Sequence, residues 1–236
     1  MSAILILGAR HLGGEVAERY AAKGWSVATV SLSEETAERV RERIPGATAF
    51  AADAGDPDAL GRIVDEVREE HGSLDAAVNA VSPPGGGPGG GELTEVEPEA
   101  IDRWAEELVP QVFTFFRVVG GAMAEAGSGS LIQVTGGSAR RAMRGKGPWA
   151  AAAFATRALS QASALELRGR GVHAALLIVD GVIESEKTRP ALEGRSPEES
   201  VDQSEVVGAI EYLVEQSERA WSHELTITPR GDRWVP

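Results

Sequence analysis

The sequence predicts an α/β fold: one domain built on a seven-stranded, doubly wound parallel sheet flanked by helices. Three observations carry this. Seven short runs are almost continuously apolar, as strands buried on both faces are. Segments with helical spacing of apolar residues alternate with them from end to end. No shift in composition divides the 236 residues, a length that one α/β core fills without staples.

The elements follow in order. The first strand, Ala3–Leu7, enters a glycine-bearing turn and a helix over Gly14–Lys23 that Gly24 stops. The strand Val27–Leu32 leads to the helix Glu34–Arg43, and the strand Ala47–Ala52 to the helix Pro57–His71. Asp56 reads as the N-cap of that helix, Pro57 as its first residue and Gly72 as its stop. After the strand Ala76–Val81 comes a glycine-rich run, Pro83–Gly91, at the carboxyl edge of the sheet where open α/β folds bind ligands. It reads as a linker or as a lid. The helix Pro98–Ala126 contains Pro110, which is expected to kink it. The strand Leu131–Thr135, helix Pro148–Arg168, strand Ala174–Val179, helix Glu205–Gln216 and strand Leu225–Thr228 complete the pattern.

Composition narrows the function. The formal net charge is −13, which repels nucleic acid and anionic membranes. There is no cysteine, so disulfides and thiolate chemistry are excluded, in keeping with a cytoplasmic protein. The apolar start, Met1 to Leu7, is too short for a signal peptide or a membrane span and reads as a buried strand. The four histidines, His11, His71, His173 and His223, show no ligand spacing, so no metal site is expected.

The first strand runs into Gly8-Ala9-Arg10-His11-Leu12-Gly13-Gly14 and then a helix. A glycine turn in this context lets the backbone approach a pyrophosphate seated on the helix N-terminus, as in Rossmann folds. The second strand ends at Ser31, where an acidic residue would select NAD by binding the ribose 2′-hydroxyl. With no acid at Ser31, and with Arg10 available to a 2′-phosphate, the reading inclines to NADP over NAD.

Here the chain resembles the short-chain dehydrogenase/reductase family, over nearly its whole length. Gly13, Ala17, Ala21 and Gly24 match the last turn glycine and the small-residue register of the family's first helix. The turn is one residue short, and His11 stands at the middle glycine. The resemblance makes Asp53 an adenine contact and Asn79 the first residue of the family's Asn-Asn-Ala-Gly. It also places Gly181 and Ile183, within Asp180-Gly181-Val182-Ile183-Glu184-Ser185, against a nicotinamide. With Gly8, Arg10, His11, Gly13 and Ser31, these form the expected cofactor shell. The same resemblance implies a homodimer or homotetramer built on the helices around Ile101–Met123 and Trp149–Leu167.

Family members transfer protons with a tyrosine, a lysine that lowers its pKa, a serine and an asparagine. Anchored on Leu131–Thr135, on Ala164–Leu167 and on Trp104, these positions hold Trp149, Ala153, Gly136 and Gln111. The chain has only two tyrosines, Tyr20 and Tyr212, both far along the sequence from that stretch. Ser138 and His11 are candidate substitutes. Arg157, and the run Arg140, Arg141, Arg144 and Lys146, are candidates for holding an anionic group on a small-molecule substrate. Three readings stay open: a pseudoenzyme or partner subunit with cofactor binding weak or lost, an enzyme of repurposed chemistry (cyclisation, dehydration or isomerisation), and an NADP-dependent carbonyl reductase with a non-tyrosine donor. The residues favour the first two equally over the third.

Overall fold

The computed structural model describes residues 1–82 and 91–232. The strands are β1 (Ala3–Leu7), β2 (Ser26–Ser31), β3 (Thr48–Ala51), β4 (Ala76–Asn79), β5 (Gly129–Gly136), β6 (Val172–Val179), β7 (Val182–Ile183), β8 (Ser200–Val201) and β9 (Glu224–Ile227). The α-helices are α1 (Leu12–Ala22), α2 (Glu34–Arg43), α3 (Pro57–His71), α4 (Glu99–Thr114), α5 (Gly120–Ala126), α6 (Gly147–Leu167), α7 (Arg189–Leu192) and α8 (Gln203–Val214). Seven strands form one parallel sheet in the order β3-β2-β1-β4-β5-β6-β9, the doubly wound arrangement the sequence predicts. The order reverses between β1 and β4, which opens a crevice at their carboxyl ends.

Alternation along each strand feeds two cores. Leu5, Leu7, Ala77 and Leu131 pack under α3 to α6, while Ile4, Ile6, Val78 and Ile132 pack under α1, α2 and α8. Helix α3 is bounded as the sequence indicates. The Asp56 carboxylate accepts from the Asp58 and Ala59 amides at 2.9 and 3.2 Å, and Gly72 closes the helix at φ +76°.

Three features differ from expectation. Helix α1 starts at Leu12, two residues before Gly14, with His11 at the N-cap position and its carbonyl accepting from the Gly14 amide at 2.9 Å. The long helix ending at Ala126 is divided, but not at Pro110, through which α4 runs unbroken. Pro110 lies on the exposed face, so water can serve the carbonyl it leaves unpaired. The irregularity is a π turn at Phe115–Val119, which buries the adjacent Phe115 and Phe116 together. Third, β7, α7 and β8 form an unexpected insertion after β6, with elements too short to carry a periodic signal. Of the glycine-rich run, residues 83–90 lie outside the described residues. Gly91 donates its amide to the Gly145 carbonyl at 3.1 Å.

Candidate functional site

The crevice between β1 and β4 is built by glycines. Gly8 sits at φ +88°, and a Cβ there would lie 2.9 Å from the Ala80 backbone. A Cβ on Gly13 would lie 2.5 Å from the Gly8 carbonyl oxygen, so α1 packs directly on its own turn. The amides of Arg10, His11, Leu12 and Gly13 meet no acceptor among the described residues. They form a donor set at the positive end of α1, suited to an anion. Beside it, the Ser31 hydroxyl accepts from the Ala9 amide at 3.3 Å.

Two exposed guanidiniums flank this turn, Arg10 and Arg39, and neither meets a carboxylate among the described residues. Arg39 makes a 3.4 Å contact to the Thr36 hydroxyl. Burial, and then the charges of Arg10, Lys187 and Arg39, hold the His11 imidazole below its ordinary range, so it is neutral at pH 7. Asp53 is exposed and uses one oxygen on the Gly55 amide at 2.8 Å. Arg39 was missed by sequence reasoning. Its place one helix after Ser31 carries no local signal.

Asn79 and Gln111 come together, with a third amide that the sequence did not flag. The Asn79 side-chain nitrogen donates to Gln111 at 3.0 Å and to Gln133 at 2.8 Å. Its oxygen accepts from Gln111 at 3.3 Å and from the Val81 amide at 3.2 Å. Asn79 is fully buried and all its hydrogen-bonding capacity is spent internally. It ties β4 to α4 and β5 rather than offering a free group to a cofactor. A polar residue inside the apolar run Leu131–Val134 was the signal for Gln133.

The positions expected for serine and tyrosine are neighbours. A Cβ on Gly136 would lie 3.4 Å from Cζ2 of Trp149, so the benzo edge of the indole lies over that glycine. Trp149 stacks on Trp104 with centroids 6.1 Å apart, and the Lys146 ammonium stands 5.1 Å from its ring centroid. Ala153 is buried with Ala139, Leu176 and Ile178 in a small apolar cluster. Nothing in this group exchanges a proton near neutral pH. Ser138, expected as a substitute facing the cleft, is instead 1% exposed, and its hydroxyl has no partner among the described residues. It lies in the 3-10 turn Gly137–Ala139, closed off from solvent.

The basic residues expected to hold a substrate anion are already engaged. Arg157 grips Glu224 with two bonds of 2.7 and 2.9 Å. Arg140 donates to the Thr226 hydroxyl at 3.0 Å and lies 4.0 Å from Glu224. Arg144 pairs with Glu92, and Lys146 lies against Trp149. Arg141 holds Asp180 through contacts of 3.2 and 3.4 Å. Gly137 makes room for that carboxylate, since a Cβ there would lie 1.9 Å from its oxygen. Downstream, Gly181 fits between Pro229 and Val201, and Ile183 pairs with Val201 in the β7–β8 ribbon.

Neither tyrosine reaches this edge. Tyr20 is buried near the C-terminal end of α1, under α8, edge-on to Trp25 just before β2 begins. That is the amino end of the sheet and the opposite face from Gln111. Burial and the nearby Glu211 and Glu215 push its phenol far above the usual range. Tyr212 is exposed on α8.

Comparison with known proteins agrees with this architecture. The family profile described as short chain dehydrogenase matches residues 2–195. D-threitol dehydrogenase of Mycolicibacterium smegmatis is 29% identical over 176 residues, covering 71% of this chain and 65% of that protein's length. A short-chain type dehydrogenase/reductase from Mycobacterium ulcerans superposes with a TM-score of 0.87 at 20% identity, over 97% of this chain and 89% of that one. ElxO with NADP bound superposes at 0.85 with 17% identity, over 97% of both chains. At these identities the structural likeness speaks to the fold alone. With a doubly wound sheet, a glycine turn at its switch point and a family profile spanning most of its length, the chain belongs to the short-chain dehydrogenase family.

Proposed function

We propose that the protein binds NADP(H) at the carboxyl edge of its sheet without carrying out the family's tyrosine-dependent hydride chemistry. It is then a pseudoenzyme or a partner subunit that keeps the nucleotide shell. The carrying observation is the indole of Trp149, stacked on Trp104 and lying over Gly136, where a phenol and a serine hydroxyl would otherwise meet a substrate. Such chemistry needs a group that gives or takes a proton beside the reacting oxygen, with a cation to stabilise it when deprotonated. Trp149 and Ala153 supply neither.

The residues present fit a dinucleotide. The four open amides over Arg10–Gly13 suit a pyrophosphate, and Arg10 and Arg39 beside Ser31 suit a ribose 2′-phosphate. When bound, the nicotinamide ring supplies a hydride donor or acceptor. This chain's own residues would orient it beside Gly136 and the Trp149 indole. The NADP bound to ElxO supports the same reading. Phe113 on α4 and Phe154 on α6 are large apolar side chains left 51% and 44% exposed, which supports a homodimer through these helices.

The likeness to D-threitol dehydrogenase favours a second reading, an NADP-dependent oxidoreductase of small alcohols or carbonyls with His11 as the proton-transfer group. His11 is neutral at pH 7 and so able to accept a proton. Calorimetric titration separates the nucleotide claim from the chemistry. The expected result is saturable NADPH binding, tighter than NADH, with the preference lost in Arg10→Gln/Arg39→Gln. Absence of binding at millimolar NADPH contradicts the proposal.

A further inference from the structure

After β9 the chain turns back over the end of β6. The Asp232 amide donates to the Pro229 carbonyl at 3.0 Å, and the Gly231 amide to the Glu198 carbonyl at 2.6 Å. Arg141, between β5 and α6, stands between two carboxylates. Its fork grips Asp180 at 3.2 and 3.4 Å, and it lies 3.8 Å from Asp232. We propose that Arg141 is a positioning residue: by clasping Asp180 and Asp232 it fixes the Gly181 turn, and through that turn the nicotinamide end of a bound dinucleotide. This role rests on the nucleotide reading above.

The turn needs an outside fastening. No residue from Gly181 to Ser200 is buried, so the segment has no core of its own. Its strands β7 and β8 are two residues each, and α7 is four. A segment with so few buried contacts opens locally at small cost unless something else ties it down. The residues after β9 supply that tie. A Cβ on Gly181 would lie 2.7 Å from Cδ of Pro229 and 2.8 Å from Cγ2 of Val201. A Cβ on Gly231 would lie 2.7 Å from the Glu198 carbonyl oxygen. Pro229 and Gly231 therefore press on both ends of the segment, and Arg230 adds a 3.1 Å pair with Glu198.

Arg141 links this tie to the sheet. Asp180 is 5% exposed, and its amide donates to the Ile227 carbonyl at 2.9 Å, which joins the ends of β6 and β9. A carboxylate so nearly buried depends on its cation, and removing the partner costs more than one bond. The Arg141 amide donates in turn to the Gly137 carbonyl at 3.3 Å, on the turn that follows Gly136. A guanidinium fork can serve two carboxylates at once, which a single ammonium does less well. The turn after β5, the end of β6 and the chain after β9 thus meet at one side chain.

The experiment is calorimetry on the full chain with two probes, NADPH and adenosine 2′,5′-bisphosphate, which lacks the nicotinamide half. Arg141→Gln should weaken NADPH about tenfold or more, the scale of a charged hydrogen bond. The milder Asp232→Asn should weaken it about threefold. Both should bind adenosine 2′,5′-bisphosphate as the unaltered chain does. Asp232→Glu, which keeps the charge, should restore NADPH binding. Trypsin reads the clasp without nucleotide. Cleavage after Arg195 should quicken in Arg141→Gln and Asp232→Asn, and not in Asp232→Glu or in Glu125→Gln, an exposed site at the opposite edge of the sheet. Three results overturn the positioning role alone: unchanged NADPH affinity in both variants, equal loss of both probes, or unchanged cleavage. No binding of either probe by the unaltered chain overturns the nucleotide reading, and the positioning role with it.

Discussion

At the scale of single residues, Tyr20 belongs to the core and Tyr212 to the surface. Tyr20 keeps a buried hydroxyl without a partner among the described residues. Such a group costs about 1–3 kcal/mol. Tyr20→Phe should therefore leave the melting temperature unchanged or raise it, and should leave NADPH binding intact. A fall in either would give that hydroxyl a role the structure does not show. His173 is a buried histidine that resists protonation. It lies flat against Trp221, with ring centroids 5.2 Å apart, and donates to or accepts from no group at Nδ1 among the described residues. Burial, and secondarily the nearby His223, hold its pKa below the ordinary 6.5. The unfolded chain then takes up a proton that the folded one refuses, so stability falls as pH drops below about 6.5, at no more than about 1.4 kcal/mol per pH unit. Urea titrations across pH should show this slope, and His173→Phe should flatten it.

At the scale of elements, the amide triad couples three of them. Gln133 in β5 and Gln111 in α4 both bond Asn79 at the end of β4. Gln133→Leu should cost about 1–3 kcal/mol by stranding an Asn79 donor, read as a lower urea midpoint. An unchanged midpoint would mean that the triad contributes nothing. Strand and helix identity was legible because buried parallel strands and amphipathic helices have distinct periods, and the Asp56-Pro57 and Gly72 signals marked α3 correctly. The π turn was not legible, since it depends on how Phe115 and Phe116 share one core. The β7–β8 ribbon was too short to register. Among site residues, Gly136 and Trp149 were placed together by register alone. Ser138 is buried and Arg157 and most of the basic run meet carboxylates, which was not legible, because sequence shows a charge or a hydroxyl but not the burial or the partner it will meet.

At the scale of the whole molecule, the doubly wound sheet gathers its loops at one edge, while α4 leaves Phe113 and α6 leaves Phe154 exposed. Sedimentation should give a dimer. Phe154→Glu, which places a charge on α6, should shift the chain toward monomer with its fold intact by circular dichroism. A monomer in the unaltered chain would remove the case for assembly through these helices. The central claim concerns chemistry at the sheet edge, and the most direct measurement is reduction of NADP⁺ by D-threitol and related polyols, followed by absorbance. The structure predicts saturable nucleotide binding with no turnover above background. Steady turnover in the ordinary enzymatic range, about 1 s⁻¹ or faster, would contradict it and show that this edge holds a working proton donor after all.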